Sequence, residues 1–170
     1  MARGYLLDTN IVRYWFDDRS VKHQPVLTRI AALAEDDPLH VSVITYGEME
    51  YGHQCESNDQ TPHQVRFASF IEEHLPFMLE IRRSTTIEYG RIRAMLFLKF
   101  APRDRRIPGL RPEQLIDPVT SREIGVQEND IWLAAQAIEH NLVLVTHDQM
   151  NNIRTVAPAL RVEDWAQECR

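Results

Sequence analysis

An α/β fold, with a mainly parallel central sheet flanked by helices, is the architecture this sequence predicts, and three observations predict it. Short apolar runs rich in β-branched residues and Leu recur along the chain, as buried parallel strands require. Amphipathic helical stretches separate those runs, so strands and helices alternate as in βαβ units. The length of 170 residues and the 44% hydrophobic content suit one domain with a sizeable core.

The elements follow in order. Tyr5 to Leu7 opens the chain as a strand, and Val41 to Thr45 (VSVIT) and Leu142 to Thr146 (LVLVT) are the clearest later ones. Val26, Leu27, Ile30, Leu33 and Ala34 mark the apolar face of one helix, and Val65, Ala68, Phe70, Ile71 and Leu75 that of another. Ser84 is placed to cap a helix running to Phe100, with Ile92, Leu96 and Phe100 at spacing four. A further helix runs from about Asp130 to His140, with Asn141 placed to close it. The order lapses from Ala101 to Val126, where four prolines and two glycines interrupt the pattern. A connection of that length reads as a functional or flexible loop.

Composition excludes several classes. Nineteen basic and twenty-five acidic residues leave a net charge of −6, unlike a general phosphate-binding basic surface. Charge is nevertheless uneven. Arg82 to Arg111 holds nine basic and two acidic residues, net +7, which makes Arg103, Arg105 and Arg106 candidates for contact with RNA or with an acidic partner. The two cysteines, Cys55 and Cys169, form no spaced cluster and read as free thiols of an intracellular protein. No apolar run approaches the ~18 residues of a membrane span, and the opening MARGYLLDTN has no apolar signal region, so a cytoplasmic location is expected. The seven histidines show neither HxxxH nor HExxH spacing, and the six glycines form neither a P-loop nor GxGxxG.

The chemistry lies in where carboxylates fall. Asp8 directly follows the first strand, Glu48 sits in the first turn of the helix after the second, and Asp148 follows the LVLVT strand with only His147 between. Asp130 begins the helix that leads into that last strand. In open parallel sheets ligands bind beyond the carboxyl ends of the strands, so the topology would collect these side chains at one edge. Each has an ordinary structural explanation as a helix cap, a turn residue or a solvated helix position. Together they favour a shared acidic site. Carboxylates about 4 Å apart repel by about 4 kcal/mol at an effective dielectric of 20, which retained protons or a bound divalent cation would relieve. Oxygen donors alone suit magnesium or manganese rather than zinc, in one or two ions able to activate water at a phosphoryl centre. Asn10 and Thr146 are the polar neighbours placed to orient the carboxylates.

These residues carry a resemblance. Leu7-Asp8-Thr9-Asn10, then Val41–Thr45 with Gly47-Glu48-Met49-Glu50-Tyr51-Gly52, then Asn129-Asp130-Ile131-Trp132-Leu133-Ala134-Ala135-Gln136-Ala137, then Leu142–Thr146 with Asp148, resemble in order the four motifs of PIN-domain ribonucleases. The closest likeness is to the toxin subunits of VapBC-type toxin–antitoxin modules, and Leu160 to Trp165 is similar to their last strand. The resemblance implies a PIN-like three-layer fold over residues 1–170, from which an atypical Pro/Arg-rich insertion at about 101–126, longer than the link expected before the third motif, departs. It implies a magnesium- or manganese-dependent endoribonuclease, usually a homodimer, held inactive by a cognate antitoxin. Asp8, Glu48, Asp130 and Asp148 would form its metal-binding catalytic quartet, supported by Asn10 and Thr146. Glu128, two residues before Asp130, competes for the third position. The alternatives are a catalytically silent PIN-like protein-binding module and another metal-dependent phosphoryl-transfer enzyme. A haloacid dehalogenase-type phosphatase would want a second Asp where Asn10 stands. A receiver domain would want a Lys after a late strand, where neither Lys22 nor Lys99 lies.

Overall fold

The computed structural model describes residues 4–34, 36–55, 61–101 and 110–167. Five strands form one sheet in the order β3-β2-β1-β4-β5, every neighbouring pair parallel. β1 (Tyr5–Leu7) leads through α1 (Thr9–Phe16) and α2 (His23–Ala31) to β2 (Leu39–Ser42). Then α3 (Val43–Cys55) and α4 (Thr61–His74) lead to β3 (Phe77–Leu79) at one edge. The chain returns by α5 (Arg83–Phe100) and α6 (Glu128–Glu139) to β4 (Val143–Val145), and α7 (Asn151–Val156) leads to β5 (Arg161–Glu163) at the other edge. Among the described residues no helix is long and apolar enough to cross a membrane.

Alternation along the central strands divides the core in two. Leu6 of β1 and Leu144 of β4 pack with Ile92, Leu96, Ile131 and Leu133 beneath α5 and α6. Their neighbours Leu7 and Val145 point the other way, into Ile11, Val12, Val41, Phe67 and Trp165. Successive side chains of a strand face opposite sides, so a helical layer on each face accounts for strands that are apolar at every position. The three-layer α/β architecture expected from the sequence is present.

Four local expectations are corrected. The VSVIT run is not all strand: β2 stops at Ser42, whose hydroxyl accepts a hydrogen bond from the Ile44 N–H at 3.0 Å and opens α3. That cap overrides the β-branched composition of Val43 to Thr45 and moves Glu48 out of the first helical turn. Ser84 does not cap α5, which begins at Arg83 with Thr85 Oγ1 accepting from the Arg82 N–H at 3.0 Å. Ser84 instead bonds the carboxylate of Glu139 on α6. α6 starts at Glu128, so Asp130 is its third residue. Finally, residues 110–126 are not a structureless loop. A short 3₁₀ turn, Pro112–Gln114, and an antiparallel bridge between Ile116 and Glu123 lay Leu115, Ile124 and Val126 into the core. Asn141 does close α6, in the left-handed conformation (φ 56°) that follows many helix ends. Arg103, Arg105, Arg106 and Cys169 lie outside the described residues.

Candidate active site

The sheet order reverses direction between β1 and β4: the chain builds outward from β1 through β2 and β3, then crosses to the opposite side for β4 and β5. Helices leaving such a pair of strands diverge and open a crevice at their carboxyl ends. Asp8 stands at the end of β1, where its N–H donates to the Val145 carbonyl at 2.9 Å, and Thr146 and Asp148 follow β4.

Asp8 is almost fully buried, with 5% of its surface exposed. One carboxylate oxygen caps α1 by accepting from the Thr9 N–H at 2.6 Å. The other accepts from the Thr146 hydroxyl at 2.6 Å and the Asn10 amide at 3.1 Å. The Asn10 amide also reaches Asp148 Oδ2 at 3.2 Å, and its carbonyl oxygen accepts the His147 N–H at 3.1 Å. Thr146 Oγ1 in turn accepts the Asp148 N–H at 3.0 Å. Asn10 and Thr146 therefore tie the first and last carboxylates together, as their positions in the sequence suggested. His147 turns its ring away, with Nδ1 3.0 Å from Asp164 Oδ2.

Two residues outside the sequence-based site complete the arrangement. Glu48 is held between the Thr9 hydroxyl and the side-chain amide of Asn129, the latter 2.6 Å from Oε1. Both stand directly beside an acidic site residue in the sequence, and that adjacency was the available signal. Asp130 accepts the Gln127 N–H at 2.8 Å and so caps α6 while facing the crevice. Glu128 is drawn off to α5, where its carboxylate meets the Tyr89 hydroxyl and, at 3.1 Å, Arg93 Nη1.

Two of the carboxylates respond to their surroundings and to their acidic neighbours. Burial pushes the Asp8 carboxyl up to about 6, opposed by its bonds to Thr146 and Thr9 and assisted by the charges of Glu48 and Asp148. Burial likewise raises Asp130 to about 6, with Asp8, Asp148 and Glu48 adding to the shift. Among the described residues no three His, Cys, Asp or Glu side chains already converge as a metal shell. The donor set nonetheless fits a hard divalent cation in its chemistry. It is all oxygen, its members repel, and two hold a raised pKa that a nearby positive charge would reverse. Exposure increases from buried Asp8, through half-buried Glu48 and Asp130, to exposed Asp148. Asp130 and Asp148 border a polar hollow of about 350 Å³, and Glu48 borders a second, of about 390 Å³, against α1.

The chain is 26% identical over 163 residues to Ribonuclease VapC1 of Haemophilus influenzae (strain R2866), covering 96% of this chain and 98% of that one. VapBC2 from Rickettsia felis, solved bound to a DNA fragment from its promoter, shares the fold with a TM-score of 0.68. Its identity is 24%, over 95% of this chain and 98% of that one. A toxin–antitoxin complex from Klebsiella pneumoniae shares the fold at a TM-score of 0.58 and 17% identity, over 98% and 100% of the two chains. Residues 5–157, nearly the whole chain and all four carboxylates, match the PIN domain, and the chain belongs to the PIN-domain family.

Proposed function

We propose that this protein is a metal-dependent endoribonuclease that cleaves RNA phosphodiester bonds in the cytoplasm as the toxin of a toxin–antitoxin pair. The observation that carries the reading is that Asp8 and Asp130, raised chiefly by burial, are raised further by the charges of Glu48 and Asp148, so the four carboxylates lie within electrostatic reach of one another. Supporting it are the ribonuclease named among its relatives and the toxin–antitoxin complexes that share its fold. The toxin–antitoxin complexes among its fold neighbours favour a cognate antitoxin as protein partner, and a homodimer is the assembly proposed.

In this reading Asp8, Glu48, Asp130 and Asp148 would hold one or two Mg²⁺ or Mn²⁺ ions. Such ions, when bound, supply an activated water and offset the charge that gathers on phosphoryl oxygens. The protein does the rest by position. Thr146 and Asn10 hold Asp8 in place at the floor, so its carboxylate keeps one orientation. Thr9 and Asn129 do the same for Glu48 from two different helices. Asp130 and Asp148 line the open side, where a phosphodiester arrives.

The test is cleavage of single-stranded RNA by purified protein in magnesium or manganese. Asp148→Asn is expected to lower the rate by about a hundredfold or more, as losing one preorganised charge at such a centre does, with circular dichroism unchanged. Undiminished cleavage by Asp148→Asn, or by the unsubstituted protein in excess EDTA, would overturn the proposal.

A further inference from the structure

Beside the acidic crevice lies a groove that the hydrolytic chemistry does not use. Thr9 and Arg13, one turn apart on α1, form one wall, and Glu48, Tyr51 and Gly52 on α3 form the other. The Thr9–Glu48 hydrogen bond closes its end toward the carboxylates. Its volume is about 390 Å³, within the range of small-molecule sites and enough for a nucleotide. Three features give it a direction. Tyr51 is a large aromatic that is 72% exposed. Arg13 is exposed and, among the described residues, has no carboxylate partner, on a chain whose net charge is −6. At Gly52 a side chain would enter open space, so its absence keeps the wall clear. A second hollow on the other side of Tyr51, lined by Val43, Ile44, Gly47, Glu48 and Asn129, contains no cation.

We infer that this groove holds the nucleotide next to the scissile phosphate of a single-stranded RNA, with its base stacked on Tyr51 and its phosphate paired to Arg13. The inference rests on the ribonuclease reading and adds to it the groove and the two side chains that grip the RNA beside the carboxylates. An exposed aromatic offers every base a face, and a base can reach it only when it is not paired and stacked within a duplex. Among the described residues no cationic side chain lines the acidic hollow, and Arg13 in the neighbouring groove supplies a positive charge suited to a phosphate. Continuity is direct, because Glu48 belongs both to the crevice and to the groove wall.

Fluorescence anisotropy of a labelled ten-nucleotide RNA of mixed sequence tests this, with every variant built on Asp148→Asn to keep the probe intact. Tyr51→Ala is expected to weaken binding by about 5- to 160-fold, the range that alanine substitution at stacking aromatics spans, with Tyr51→Phe restoring it. Arg13→Gln is expected to flatten the log–log salt dependence of binding by about 0.7, one single-strand phosphate contact. A duplex of the same sequence should bind weakly and respond little to Tyr51→Ala. Unchanged probe affinity in Tyr51→Ala overturns the inference and leaves the groove to a protein partner. An equal loss in Tyr51→Phe overturns stacking as the cause. Failure of the ribonuclease reading shows separately, as absent cleavage by the unsubstituted protein.

Discussion

Asp8 concentrates the site's electrostatics in one side chain. Its carboxyl is raised from 3.8 to about 6 by burial first and by its acidic neighbours second, although Thr146 and Thr9 donate hydrogen bonds to the ionised form. Folding therefore binds a proton between those two values. The metal-free protein should be most stable below about pH 4 as far as this group is concerned, and should lose that contribution as pH rises through 6. A shift of that size corresponds to about 3 kcal/mol. Asp8→Asn keeps an acceptor for Thr146 and removes the titration, so its melting temperature in EDTA should depend less on pH and exceed that of the unsubstituted protein at pH 7.5. Parallel pH profiles for the two would place the proton elsewhere. Thr146 is the complementary case. It is wholly buried, donates to Asp8 and accepts from the Asp148 N–H. Thr146→Val leaves both groups short of a partner and should cost about 1–3 kcal/mol in urea unfolding, with a loss of cleavage that exceeds the loss of folded protein.

Elements decide which carboxylates reach the crevice. Glu128 opens α6 and lies two residues from Asp130, yet the pull of Tyr89 and Arg93 on α5 keeps it outside. Its ion pair with Arg93 is about one-third exposed on each side and so contributes less than about 1 kcal/mol. Glu128→Gln should leave cleavage within about twofold, as substitutions away from a site do, and a loss as large as that in Asp148→Asn would return Glu128 to the quartet. The sequence pattern favours Asp130 only in that it leads directly into the largely apolar stretch from Ile131 to Ala137. For the elements the pattern failed where a side chain outweighed composition. Ser42 turned the last three residues of an apparent strand into helix, and the short, partly exposed β3 carried no alternation to reveal it. Thr9 and Asn129 escaped notice because their importance is a contact between α1, α3 and α6, residues distant in sequence that only packing brings together. At the opposite end of the sheet Gly4 has φ +128°, and an added Cβ would lie 2.4 Å from the Pro38 carbonyl oxygen. Gly4→Ala should destabilise the protein by about 1–3 kcal/mol while leaving the cleavage rate of the folded fraction unaltered.

At the scale of the whole molecule, the proposed function would make stability and activity depend on the same four charges. The folded chain brings together carboxylates that the unfolded chain keeps apart, so a cation bound among them stabilises only the folded state. At ten times its dissociation constant such an ion adds about 1.4 kcal/mol. For a chain of 170 residues this is a rise of roughly 3–6 °C in melting temperature. Salt alone screens repulsion, so magnesium or manganese must be compared with sodium chloride at equal ionic strength. Protons compete for the same oxygens, and with Asp8 and Asp130 raised to about 6 the rise should be larger at pH 7.5 than at pH 5. Asp8→Asn and Asp130→Asn should each lose most of it, whereas Glu128→Gln should keep it in full. Equal shifts in all four proteins would detach the ion from the crevice. A shift lost in Glu128→Gln as well would mean that binding draws this acid away from Arg93 and into the site.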